Sequence, residues 1–184
     1  MKSNNLSSQD WIAAAFKALT AGGPQAIKVE AIARHLKVSK GSFYWHFANV
    51  DALKSQMLEH WYEMATSGII ANIDATSGKP EDKLTALVDL VSGNLSEAYG
   101  GVSVEAAIRD WGKYSKQVGD MIKKVDHQRL DFLIEQFAAY GYDGKNSRSC
   151  AAILYAGLIG LETLAAQEMA DIRSDLHILL QRLL

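Results

Sequence analysis

The chain has one cysteine, Cys150, among 184 residues, so no disulfide can close within it and a reducing compartment is expected. Proline is nearly as scarce, with only Pro24 and Pro80, and the composition is 48% hydrophobic. That balance describes a packed, helix-rich globule rather than a disordered chain. The apolar run Cys150–Leu161 reaches only twelve residues before Glu162, short of the roughly 20 that a membrane span needs. The opening MKSNNLSSQDW lacks the apolar stretch of a secretory signal. These absences make a cytoplasmic protein with no membrane partner the expectation. Three of its histidines, His35, His46 and His60, stand eleven and fourteen apart, spacings that match no common metal site. There is no glycine-rich phosphate loop, no nucleophile elbow and no cysteine pair. No enzyme, cofactor or metal is therefore expected. No segment alternates with period two, so the fold class is all-α.

The net charge is small, −2, but it is unevenly placed. Residues 1–61 hold seven Lys/Arg and four Asp/Glu, which leaves twelve and seventeen of the totals of 19 and 21 for the remainder. A cationic module joined to an acidic one suits local contact with DNA better than delocalised binding.

The cationic module contains VEAIARHLKVSKGSFYWHFANVDALK, residues 29 to 54. Val29, Ile32, Ala33 and Leu36 recur at helical spacing and predict a helix with one buried face. Lys37-Val38-Ser39 interrupts it, and Ser39 is placed to cap a second helix over Lys40–His46. Phe43 and Phe47 anchor that short helix inward. Lys40, Gly41, Ser42, Tyr44, Trp45 and His46 are left for its other side, since four successive aromatic or imidazole residues cannot all face one core. The pattern is a helix-turn-helix with its second helix offered to a major groove.

These residues resemble the DNA-binding signature of tetracycline-repressor-type (TetR-type) regulators, carried by Ile32-Ala33 and by Val38 through Phe47. The likeness covers about residues 8 to 65. Three positions depart from the usual pattern. Lys37 stands where glycine is common, Lys28 replaces a hydroxyl cap, and Val50 replaces a lysine that reaches phosphate, which makes Lys54 the substitute. The resemblance implies a three-helix DNA-binding domain over residues 1–49, with a linking helix from about 50. It also implies a helical ligand-sensing and dimerisation domain over 50–184. Double-stranded operator DNA, an unnamed small-molecule effector and a second copy of the chain are the implied partners. Lys40, Tyr44, His46 and Lys54 would meet phosphates. Ser39, Ser42 and Trp45 would reach phosphates, base edges or thymine methyls, and Gly41 would permit close approach.

The remaining periodicity gives a first helix after Ser7 or Ser8 with Ile12, Ala15, Phe16 and Leu19 inward, ended by Gly22-Gly23-Pro24. Asn49 caps a helix whose stripe is Leu53, Met57, Trp61, Met64 and Gly68. Pro80 opens another with Leu84, Leu87, Val88, Val91, Leu95 and Ala98. Gly100-Gly101 breaks it before Ser103, and Ser115 starts a long helix reaching Tyr140. A helix from about Asn146 to Glu168 is apolar all round at its middle and needs cover on every face. The pattern leaves packing within the chain and packing against a second subunit equally open, and the resemblance favours the subunit. Ala152, Ala156 and Gly160, with Ile172, Leu176, Leu179 and Leu183 on the last helix, are the dimer-interface candidates.

Tyr99, Trp111, Tyr114, Met121 and Phe132 are candidate walls of a ligand pocket, against ordinary core packing for each. Arg129 lies on an apolar stripe and needs a partner. Asp110 or Glu105 is expected to supply it, with a ligand carboxylate as the alternative. By resemblance, ligand binding would shift the linking helix and spread the two recognition helices, making the protein a repressor released by its effector. A dimeric helical adaptor that no longer binds DNA is the competing reading.

Overall fold

The computed structural model describes residues 6–93, 99, 101 and 103–184. Among these residues every regular element is helical. Leu95, Ala98 and Gly100, which the periodicity placed on or after one stripe, lie outside the described residues.

The chain divides into two compact units, Met1–Trp61 with Ser96–Gly119, and Tyr62–Leu95 with Asp120–Leu184. The first stretch of the linking helix thus belongs with the helix-turn-helix, beyond the boundary expected at residue 49. The cause is burial: Leu53, Met57, Leu58 and Trp61 are all core residues.

In the first unit, α1 (Ser8–Gly22) starts at a capping box. The Ser7 N–H donates to Asp10 Oδ2 at 2.7 Å, and the Asp10 N–H returns to Ser7 Oγ at 3.4 Å. Its inward face carries Trp11 as well as the four residues foreseen. Gly23, at φ 73°, ends the helix, and a short 3₁₀ turn, Pro24–Ala26, precedes α2 (Val29–Leu36). After α3 (Lys40–Phe43) comes α4 (Val50–Tyr62), where Asn49 Oδ1 accepts the Ala52 N–H at 2.9 Å as a cap. α7 (Ser103–Gly112) packs against α1 and buries Ile108 and Trp111. Within it Glu105 bonds Arg109 at 2.8 Å and accepts the Trp61 indole N–H at 3.2 Å.

In the second unit the helix that began as α4 runs on through a π-helical turn, Glu63–Ser67, into α5 (Gly68–Asp74). The turn inserts one residue into the register. Met64, expected inside, is 60% exposed, while Thr66 takes the buried position at 1%. Next come α6 (Pro80–Ser92), opened by Pro80 as expected, and α8 (Lys116–Tyr140), of which the part from Asp120 lies in this unit. α9 (Gly144–Ala165) and α10 (Ile172–Leu183) follow. Their core joins Leu84, Leu87 and Val88 of α6 to Phe132, Leu133 and Phe137 of α8, Ala151, Leu154 and Tyr155 of α9, and Leu176 and Leu180 of α10.

Leu176, expected at an interface, is therefore a core residue at 1% exposure. Leu179 packs across Gly157, where a Cβ would come 2.4 Å from Leu179 Cδ2, and Leu183 also lies against the core. Asp89 of α6 ties α10 down through His177 at 3.1 Å and Arg173 at 2.6 Å, and these bonds, His177 first, hold its carboxyl below the ordinary range. The other side of α9 stays open: Ala152, Ile153, Ala156, Gly160 and Leu164 are exposed. α9 is long and apolar enough to cross a bilayer by length and composition, unlike the twelve-residue run at its centre. One of its faces nonetheless carries Ala151, Leu154 and Tyr155 into the core of this unit.

Candidate nucleic-acid interface

The turn between α2 and α3 is set by one residue in an unusual conformation. Lys37 adopts φ 58° and ψ 39°, the left-handed region, and its N–H returns to Ala33 and Arg34 carbonyls. The Val38 N–H then bonds the Ala33 carbonyl at 3.0 Å, which closes the end of α2. The chain is thereby turned sharply enough for α3 to begin three residues later. A lysine pays about 1–2 kcal/mol for this geometry, which glycine would adopt freely.

α3 is shorter than the periodicity predicts, stopping at Phe43 instead of His46. Tyr44, Trp45 and His46 form hydrogen-bonded turns, with the His46 and Phe47 N–H groups both returning to the Phe43 carbonyl, at 2.9 and 3.0 Å. Ser39 occupies the cap position, yet its hydroxyl makes no capping bond. The segment is held instead by rings. Phe43 is fully buried, edge-on to Trp11 at 5.3 Å between centroids and stacked on Phe47 at 5.4 Å. These contacts stabilise a single helical turn that has no stability alone.

With Phe43 and Phe47 inside, their neighbours face outward. Ser39, Lys40, Gly41 and Tyr44 are exposed, Ser42 and His46 are half-buried, and Trp45 is 88% exposed. Tyr44 stands edge-on to Phe43 at 5.2 Å, which fixes the ring and leaves its surface to solvent. A tryptophan this bare has no part in the core. Its indole, the Tyr44 ring and the small residues Ser39, Gly41 and Ser42 form a continuous stretch able to enter a groove.

Two cations foreseen at phosphates are engaged within the unit. Lys40 Nζ bonds Glu30 Oε1. Lys54 is half-buried, with Nζ 5.9 Å from the centre of the Trp111 ring. Glu30 is the partner of Lys40 that the sequence pattern does not show. It stands ten residues before Lys40, and only the left-handed turn brings the two together. Lys28 and Lys37 are further exposed cations of this unit.

The pocket candidates fall in both units. Tyr99 lies in the first, packed near His60 and Phe16 with centroids 4.6 and 6.1 Å away. Trp111 is buried there beneath Lys54, and Tyr114, at 85% exposure, walls nothing. Met121, Arg129 and Phe132 belong to the second unit. Arg129 donates from Nε to Thr66 Oγ1 at 3.0 Å, from Nη1 to the Tyr155 hydroxyl at 3.1 Å and from Nη2 to the Ala65 carbonyl at 3.1 Å. The Tyr155 hydroxyl in turn donates to Asp126 at 2.6 Å. These partners were not foreseen, because helical periodicity alone does not place the π turn that presents Ala65 and Thr66. Phe132 and Ile70 floor an open groove of about 430 Å³ in the same unit, rimmed by Asp74, Lys124, His127, Gln128, Asp131 and Glu135.

Comparison with known proteins bears on this geometry. Residues 12–57 match the sequence profile of bacterial regulatory proteins of the tetR family. An uncharacterized HTH-type transcriptional regulator of Bacillus subtilis (strain 168), YuxN, is 27% identical over 124 residues. That alignment takes in 67% of this chain but 42% of the relative, so the chain spans less than half of the curated relative it matches. The crystal structure of a TetR transcriptional regulator from Legionella pneumophila superposes with a TM-score of 0.78 at 17% identity, covering 99% of each chain. A transcriptional regulator from Saccharomonospora viridis, solved in complex with choline, gives 0.77 at 14% identity over 95% of each chain. At these identities the solved structures establish a shared all-α fold.

Proposed function

We propose that this chain, whose N-terminal module is that of tetR-family regulatory proteins, is a transcriptional regulator that binds operator DNA as a homodimer and releases it when a small-molecule ligand binds. The observation that carries the reading is Trp45. A recognition segment pinned from inside by Phe43 and Phe47 holds this indole and the Tyr44 ring out to solvent, where the fold has no use for them. Ser39, Lys40, Gly41, Ser42, Tyr44, Trp45, His46 and Lys54 form the proposed DNA surface. Phosphate contacts supply affinity and groove contacts supply sequence preference.

Dimerisation is proposed through the open side of α9, where Ala152, Ala156 and Gly160 recur every fourth residue beside Ile153 and Leu164. Small side chains let a second helix approach closely, and an exposed apolar stripe is covered when it does. Ile178, exposed on α10, extends the surface, and half-buried Ile172, Leu179 and Leu183 border it. Two recognition segments related by a two-fold axis would enter successive major grooves about 34–36 Å apart, which implies a palindromic operator.

The second unit is the proposed sensor, in a cytoplasmic repressor. The choline bound by the Saccharomonospora protein supports a small-molecule effector of some kind. Arg129, whose guanidinium joins the π turn to α9, and the Phe132 groove are the candidate points of action. Coupling of about 1–3 kcal/mol between the sites would lower DNA affinity several-fold to a hundredfold.

The adaptor reading has one observation in its favour: Lys40 and Lys54 are engaged inside the unit. Equilibrium binding to a mixed-sequence duplex at increasing salt separates the two. A regulator shows affinity that falls linearly on a log–log plot, and Trp45→Ala weakens it without lowering thermal stability. A folded, monodisperse protein with no salt-dependent binding would favour the adaptor.

A further inference from the structure

Glu30 occupies the first turn of α2 and Lys40 the first residue of α3, and the left-handed turn at Lys37 joins them in an ion pair on the proposed DNA face. Both side chains are largely exposed, 51% for Lys40 and 60% for Glu30. The bond to Lys40 holds the Glu30 carboxyl below its ordinary range, and the reciprocal bond raises the Lys40 ammonium. Exposed pairs of this kind contribute little to folding. Stability is therefore a weak reason for a carboxylate here, and the setting offers another.

A lysine at the start of a recognition segment is placed to neutralise a phosphate. A carboxylate bonded to it must be displaced, or must share the ammonium, before that contact forms. The same carboxylate brings a negative charge toward a polyanion. Both effects act on the sequence-independent part of the affinity and leave the outward-facing Ser42, Tyr44 and Trp45 untouched.

We infer that Glu30 is a positioning residue that holds Lys40 back from DNA phosphates and so restrains non-specific binding. The inference rests on the DNA-binding reading and deepens it. It adds a residue outside the recognition segment, and one whose removal strengthens binding.

The test uses the full-length wild-type chain, Glu30→Gln, Lys40→Ala and the double variant, each bound to a mixed-sequence duplex. Glu30→Gln keeps the size and hydrogen-bonding ability of the side chain while removing its charge, and a thermal melt checks its fold. Glu30→Gln is expected to bind several-fold more tightly at low salt, with a log–log salt slope steeper by up to about 0.9, one phosphate's worth. Its advantage then falls about threefold between roughly 50 and 200 mM salt. In the Lys40→Ala background the Glu30→Gln effect should shrink to the part due to charge repulsion alone, because no cation remains to be released. Equal tightening in both backgrounds would overturn the inference, since Glu30 would then act only as a remote repelling charge. An unchanged slope, or weaker binding by Glu30→Gln, would overturn it as well. If the wild-type chain shows no salt-dependent binding, the DNA-binding reading fails and takes this inference with it. The wild-type titration thus tells the two failures apart.

Discussion

The Gly68 N–H bonds back to the Glu63 carbonyl, five residues earlier, and a Cβ on Gly68 would lie 2.7 Å from that same oxygen. The contact is with backbone, so no rotamer change relieves it. This one pair explains why the helix shifts register after Trp61 and why Thr66 rather than Met64 faces inward. The buried Thr66 hydroxyl and the Ala65 carbonyl are then available to the Arg129 guanidinium. A glycine in mid-helix is what the π turn requires, and π turns recur at functional sites.

That relationship makes a prediction of unusual sign. In an ordinary helix interior, Gly→Ala stabilises by about 1 kcal/mol. Gly68→Ala should instead destabilise by about 1–3 kcal/mol, through overpacking against the Glu63 carbonyl. Denaturant unfolding measures it. A variant more stable than the wild type would show that the π turn relaxes at no cost.

The Tyr155 hydroxyl accepts from Arg129 and donates to Asp126, linking α8 and α9 inside the second unit. Tyr155→Phe removes both bonds and keeps the ring. A loss of about 1–3 kcal/mol is expected, because charged partners are left short of a hydrogen bond. A melting temperature within error of the wild type would show that Arg129 is held adequately without the Tyr155 hydroxyl.

Lys37→Gly should raise stability by about 0.5–1 kcal/mol, the relief of left-handed strain less the added freedom of the unfolded chain. Thermal melts of the two proteins decide it, and a destabilised glycine variant would mean that the lysine side chain contributes more than its backbone costs.

Acid should loosen the start of α1. The Ser7 hydroxyl, followed by the Ser7 N–H, holds the Asp10 carboxyl below its ordinary value. Because the folded pKa is the lower one, this stabilisation is complete above the unfolded value. It fades as pH drops below about 4 and through the folded pKa. Asp10→Asn should be less stable near neutrality and show a shallower acid dependence. Identical pH–stability curves would remove the capping box from the reckoning.

Much of the fold was legible because it rests on local chemistry. Ser7, Asn49 and Pro80 open helices where their side chains or ring dictate. Phe43 and Phe47 face inward because they are four apart and apolar. The likeness to TetR-type regulators, read from Ile32-Ala33 and Val38 through Phe47, agrees with the profile match over residues 12–57 and with the all-α fold. What escaped the sequence depends on tertiary geometry. The Glu30–Lys40 pair needs the turn at Lys37, and the burial of Thr66 needs the π turn. Leu176 could be seen as apolar and helical, but which of two apolar surfaces it meets is decided by the neighbours of α10. Tyr114 follows the end of α7, and nothing local says that its ring points to water.

The most direct test is selection of bound duplexes from a random-sequence DNA pool at near-physiological salt. Enrichment of a two-fold symmetric site, its half-site centres about 34–36 Å apart, is the expected result for a dimeric regulator. A folded, monodisperse protein that enriches no motif would contradict it.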